Sequence, residues 1–134
     1  MRRPFTLLAT LGTATVALGA CTPAREVREE RDPPVYEGVS VMFLDDDLVS
    51  LTVAMRGAAS KADVEAYGRC AAAQQALDRG YGFARQVRTI VTRDGRSWVG
   101  DAVYLISPAL PEGLRTIDAE VVVLECAELG IPTV

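Results

Sequence analysis

Two stretches of strict alternation separated by three aspartates constrain this chain more than any other feature. Val39, Val41 and Phe43 alternate with Ser40, Met42 and Leu44. Val49, Leu51, Val53 and Met55 alternate with Ser50, Thr52, Ala54 and Arg56. A period of two places one set on a buried sheet face and the other toward solvent. Asp45-Asp46-Asp47 breaks the apolar pattern between them, so the pair reads as a β-hairpin with an acidic turn.

The next segment changes period. Ser60 followed by Asp63 is a capping-box-like start, and Lys61–Arg79 is rich in Ala with Glu, Gln and Leu, all strong helix formers. On a helical wheel Ala66, Tyr67, Cys70, Ala73 and Leu77 share the expected core face, with Glu65, Arg69, Ala72, Ala76 and Arg79 on the other side. Gly80 is placed to stop the helix in a left-handed conformation, with Tyr81 folding back on the last turn. Phe83–Arg93 and Ser97–Ser107 then read as strands joined through Asp94-Gly95-Arg96. Pro108 and Pro111 forbid regular pairing in the connection that follows, which reads as a binding loop or a rigid lid. Thr116–Leu124 is expected to be the last strand. The order ββ-α-βββ implies an α+β domain of two layers, an antiparallel sheet of about five strands covered by one amphipathic helix.

The N-terminal end is of another kind. Arg2 and Arg3 precede an uncharged run of 14 residues, Phe5–Leu18. That is the length of an export-signal core and short of the roughly 20 residues that span a bilayer. Leu18-Gly19-Ala20-Cys21 resembles the lipobox of bacterial lipoproteins. The resemblance implies that the Cys21 thiol is alkylated by a diacylglyceryl group, that residues 1–20 are removed, and that the new amine is acylated. It further implies a lipid anchor in the cell envelope. In such proteins an Asp after the cysteine favours inner-membrane retention. Thr22 stands there instead, which implies the outer membrane with the domain facing the periplasm.

Residues 21–34 mix charges with prolines and hold one large apolar residue, Val27, so they read as a flexible tether. A short helix over Arg25–Arg31 is the alternative. The folded domain is expected over 35–134. Cutting 20 residues from 134 leaves 114, enough for one small core. Arg2 and Arg3 are lost with them, so the formal charge moves from −4 to −6. That balance disfavours nucleic acid or anionic headgroups as partners for the domain as a whole. An envelope protein is the expected partner.

With Cys21 lipidated, Cys70 and Cys126 remain as a pair in an oxidising compartment. A disulfide between them would stabilise the fold by roughly 4 kcal/mol in the chain-entropy model. Two buried free thiols or a redox pair are the alternatives, though no Cys-x-x-Cys spacing is present. Cys126 has the strand parity of Asp118 and Glu120, so a bulge or turn after Leu124 is required to aim it inward.

The chain has no histidine, which excludes His-dependent nucleophilic catalysis and His-ligated zinc. Its acidic residues fall at turns, helix ends and expected solvent faces, so no catalytic residue, metal or cofactor is assigned. The three consecutive aspartates lack the alternate spacing of a calcium loop. Trp98 and Tyr104 share strand parity with Gly100 and Ala102, and Arg85, Arg88, Arg93 and Arg96 bias one hairpin toward positive charge. Trp98, Tyr104, Arg85 and Arg88 are therefore the candidate lining of a ligand groove, with core packing as the other reading of the two aromatics and a solvated sheet face as that of the arginines.

Asp45-Asp46-Asp47-Leu48-Val49, Arg79-Gly80-Tyr81-Gly82-Phe83-Ala84-Arg85 and Ile106-Ser107-Pro108-Ala109-Leu110-Pro111 are similar to stretches of a group of small alphaproteobacterial lipoproteins without an assigned activity. The likeness extends over most of the domain and implies no catalytic residue. The expectation is a non-catalytic interaction or structural module of the envelope. The alternative is a binder of a small ligand or an envelope glycolipid.

Overall fold

A computed structural model describes Gly19 and residues 31–134. Apart from Gly19, the expected export signal lies outside the described residues, as do Cys21 and most of the expected tether. Strands β1 (Val35–Phe43) and β2 (Leu48–Arg56), helix α1 (Lys61–Asp78), strands β3 (Phe83–Asp94), β4 (Ser97–Ser107) and β5 (Thr116–Asp118), and helix α2 (Ala119–Leu129) follow in chain order. The five strands form one antiparallel sheet in the order β1-β2-β4-β3-β5.

The alternation in β2 settles which face is covered. Val49, Leu51, Val53 and Met55 are fully buried, and their register partners on β4 are Tyr104, Ala102, Gly100 and Trp98. α1 lies on this face. It comes down close because the central strand carries small residues there. A Cβ built on Gly100 would stand 2.8 Å from Val64 Cγ1 and 3.1 Å from Val53 Cγ2, and one on Gly68 would meet Ala102 Cβ at 3.5 Å. The groove that Gly100 and Ala102 suggest in sequence is therefore filled by the helix.

α1 begins and ends as its sequence requires. Ser60 caps it by accepting from Ala62 N, and Asp63 Oδ2 accepts from Ala59 N at 2.7 Å. Gly80 takes φ +77, and Tyr81 N donates back to Ala76 O at 2.8 Å, closing the last turn.

The last element departs from expectation. Thr116–Leu124 is not one strand; β5 stops at Asp118 and α2 follows, a second helix that packs against α1. Antiparallel pairing of β5 runs toward the start of β3, and Asp118 already faces Phe83, the first residue of β3. Ala119 N donates to Gly82 O, and there the ladder has no more strand to use. Asp118 instead caps a helix, its Oδ1 accepting from Val121 N at 3.2 Å. Gly130 closes it at φ +71, with Ile131 N donating to Cys126 O. Ala119, Val122 and Cys126 fall on the buried side at helical spacing. This also removes the parity problem at Cys126 without a bulge.

α2 corrects the expected wheel of α1 too. Ala72 and Ala76, placed on the solvent side by a one-helix fold, are fully buried. They share a face with Arg69 at the i, i+3, i+7 spacing, and Arg69 pairs with Glu125 of α2 at 3.2 Å. The alanine content of α1 thus serves two close neighbours, the sheet and α2.

Candidate functional site

β3 and β4 are joined by a two-residue turn, Gly95-Arg96, between the paired residues Asp94 and Ser97. Gly95 has φ +60 and is the first central residue, where a primed hairpin turn most favours glycine. The turn thrusts Arg96 toward the end of β2. Gly57 N donates to Arg96 O at 3.0 Å and ties the two ends together. Gly57 itself has φ +71, and a Cβ there would lie 3.2 Å from Arg96 Nη2. The left-handed φ favours glycine here, and the tip of the Arg96 side chain lies close beside it.

Arg93 pairs across the ladder with Trp98. Its guanidinium carbon sits 4.8 Å from the centroid of the indole, and its Nε donates to Gly95 O at 2.7 Å. Arg31 and Asp32 approach from the N-terminal side, with Asp32 Oδ2 3.3 Å from Arg96 Nη1. Together Arg31, Asp32, Gly57, Ala58, Arg93, Arg96 and Trp98 bound an open cleft of about 490 Å³. Three arginines and one aspartate are thus among its lining residues. The Asp32–Arg96 pair is exposed on both sides, so it is weak and readily exchanged.

The four residues expected to line a groove do not come together. Trp98 edges the cleft and is 9% exposed, so it is a wall of the site as well as core. Tyr104, 2% exposed, lies in the core on the covered face of the sheet. Burial pushes its phenol up to about 12, with Glu65 adding to the rise and Arg69 and Arg115 opposing it. It stays neutral and cannot serve as a base near neutral pH. Burial likewise raises the Tyr36 and Tyr67 phenols.

Arg85 and Arg88 project from the opposite face of the sheet, beside Leu105 and Val103. Their spacing of three would put them on opposite faces of a regular strand. A bulge at Val87, between Gln86 and Arg88, restores them to one face. Arg88 is exposed. Arg85 folds beneath the β4–β5 connection, where a Cβ on Gly113 would meet its Nη1 at 2.8 Å, and its Nε is buried without a hydrogen-bond partner. The connection thus rests on Arg85, while Leu110 and Leu114 project into solvent.

Cys70 of α1 and Cys126 of α2 form a disulfide, with their Cα atoms 6.0 Å apart. The three aspartates form the exposed β1–β2 turn, in which Asp45 Oδ1 accepts from Asp46 N. Among the described residues, no group of three or more His, Cys, Asp or Glu side chains is arranged to hold a metal ion.

Arg93 and Arg96 were visible in the sequence as part of the hairpin's basic bias. Arg31 and Asp32 were not, because their composition assigns them to a tether and nothing in the local pattern says that the tether's end reaches the hairpin.

Residues 36–130 match the family model of the YNQ4 C-terminal domain. The chain is also 31% identical over 109 residues to a Paracoccus denitrificans protein, the uncharacterized 26.9 kDa protein in the nqo8 5' region. The similarity covers 77% of this chain and 43% of that protein, so the chain spans less than half the length of its relative. No solved structure matches.

Proposed function

The chain belongs to the YNQ4 C-terminal domain family, and from that premise we propose that it is a lipid-anchored, non-catalytic interaction module of the cell envelope, held through Cys21 and facing the periplasm from the outer membrane. The observation that carries this reading is where the domain meets its N-terminal segment. Arg31–Pro34 are exposed and run past Gly57 and Arg96 into β1. Arg31 is ten residues from Cys21. Ten residues reach at most about 35 Å when extended. An anchor on Cys21 therefore keeps the hairpin end of the domain close to the bilayer surface. The lipobox-like Leu18-Gly19-Ala20-Cys21 supplies the anchor chemistry. Stable attachment follows from more than one acyl chain, at about 0.8 kcal/mol per buried CH₂.

Fractionation tests it. The wild-type chain, produced in a Gram-negative host, is expected in the membrane fraction, shortened at its N-terminus and labelled by radioactive palmitate. Cys21→Ser is expected to lose the label and the shortening. Equal processing and equal membrane attachment of an intact Cys21→Ser protein would overturn the reading.

The cleft favours a second reading, in which the module binds a small ligand or an envelope glycolipid. Three arginines lining one cleft beside an indole offer charged donors suited to an anion.

A further inference from the structure

We propose that the cleft bounded by Arg31, Arg93, Arg96 and Trp98 binds a phosphate-bearing anion. The inference rests on the second reading above, that this protein is a ligand binder, and names the ligand's charged group.

Charge is the first argument. The chain as a whole is acidic, and its formal charge is −4 before any processing. Three arginines line the cleft with one aspartate, and that aspartate pairs with Arg96. Clustering of like charges against the sign of the molecule carries an electrostatic cost that a bound anion relieves.

Donor geometry is the second. A guanidinium offers five N–H donors in a planar fork that suits phosphate oxygens. Arg93 spends Nε on Gly95 O, which fixes the side chain over the Trp98 ring and leaves its terminal nitrogens to point elsewhere. Arg96 is engaged by Asp32 through Nη1 at 3.3 Å, in a pair exposed to water that an anion can displace. Arg96 Nη2 lies beside Gly57, where a Cβ would stand 3.2 Å away. Several forks suit the tetrahedrally spread non-bridging oxygens of a phosphate better than a planar carboxylate, which one fork saturates.

Size is the third. About 490 Å³ accommodates a phosphate with a small attached body. The same group occurs on membrane lipid headgroups and on soluble phosphates, and the chemistry of the cleft serves both.

The experiment uses the full chain in non-ionic detergent. Trp98 is the one tryptophan in the sequence, so its emission reports on the cleft without a label. The probes are inorganic phosphate, glycerol phosphate, sodium acetate, and nanodiscs of phosphatidylcholine with and without phosphatidylglycerol. A saturable emission change with a phosphate source, weakened by added salt and absent with acetate, is the expected result. Arg31→Gln and Arg96→Gln should each weaken it about tenfold or more, as loss of one charge-assisted fork implies. Both positions are exposed, so an unchanged thermal midpoint verifies folding. Arg88→Gln, on the other face of the sheet, should leave the response intact. A response to phosphatidylglycerol nanodiscs alone assigns the lipid headgroup as source, and one to inorganic or glycerol phosphate alone assigns a soluble phosphate; each supports the proposal. A flat titration with every phosphate source, an equal response to acetate, or equal weakening by Arg88→Gln overturns it. Failure here leaves the Cys21 fractionation untouched, and failure of the anchor leaves this titration untouched.

Discussion

Gly100 is the tightest point between helix and sheet. Alanine there would bring a methyl carbon to 2.8 Å from Val64 Cγ1, closer than packed carbons tolerate, with Val53 Cγ2 at 3.1 Å on the other side. Gly100→Ala is expected to destabilise the fold by about 1–3 kcal/mol through overpacking, read as a lower urea midpoint with an unchanged slope. Tyr104 makes a prediction about pH. Its folded value is raised to about 12 from an ordinary 10, so its contribution to stability is complete below pH 10 and fades as pH climbs toward 12. About 2–3 kcal/mol is at stake across that window. Tyr104→Phe should therefore move the alkaline unfolding midpoint upward, and an unmoved midpoint would show that this phenol does not govern it. At this scale the sequence was informative about parity and silent about distance. Trp98 and Tyr104 were placed on one face by alternation, and they are on one face. Their opposite fates, one at a cleft and one under a helix, depend on where along β4 the helix lies. Arg85 and Arg88 depend on a bulge at Val87, which no residue type there announces.

At the scale of elements, β1, β2, α1, β3 and β4 were legible because each has its own period and its own punctuation. The run Val121-Val122-Val123-Leu124 was not, because three successive valines of high strand propensity conceal a helical repeat of three buried positions. Its flanks carried the better signal: Asp118 in front and Gly130 behind are a helix cap and stop. What decided the matter was tertiary, namely a partner strand that begins at Phe83 and an Ala-rich face on α1 to pack against. The caps give the test. Asp118→Ala removes the acceptor for Val121 N and should cost about 1 kcal/mol, with a similar cost for Gly130→Ala at its left-handed position. Thermal melts followed by circular dichroism read both. Two substitutions without effect would mean that α2 is held by packing and the disulfide alone.

The molecule as a whole divides into a part outside the disulfide loop and a part within it. β1 and β2 precede Cys70, whereas β3, β4 and β5 lie between Cys70 and Cys126, a separation of 56 residues. The sheet interleaves the two parts, since β4 sits between β2 and β3. Unfolding must therefore release strands from both parts, while the bond keeps α1 near α2 in the unfolded chain. That makes the disulfide's effect an entropic one on the unfolded state, of roughly 4 kcal/mol, set against a total of about 5–15 kcal/mol for a domain of ordinary stability. A Cys70→Ala, Cys126→Ala double variant replaces both sulfurs with small apolar groups that the Ala-rich interface between the helices can accept. It should show a lower urea midpoint. Its slope should also be steeper, because an unfolded chain freed of the cross-link exposes more surface. The same protein treated with a reductant should follow the variant and not the wild type. If instead the midpoint and slope of the double variant matched those of the oxidised protein, the helices would be held by packing, and the bond would add nothing measurable to the domain.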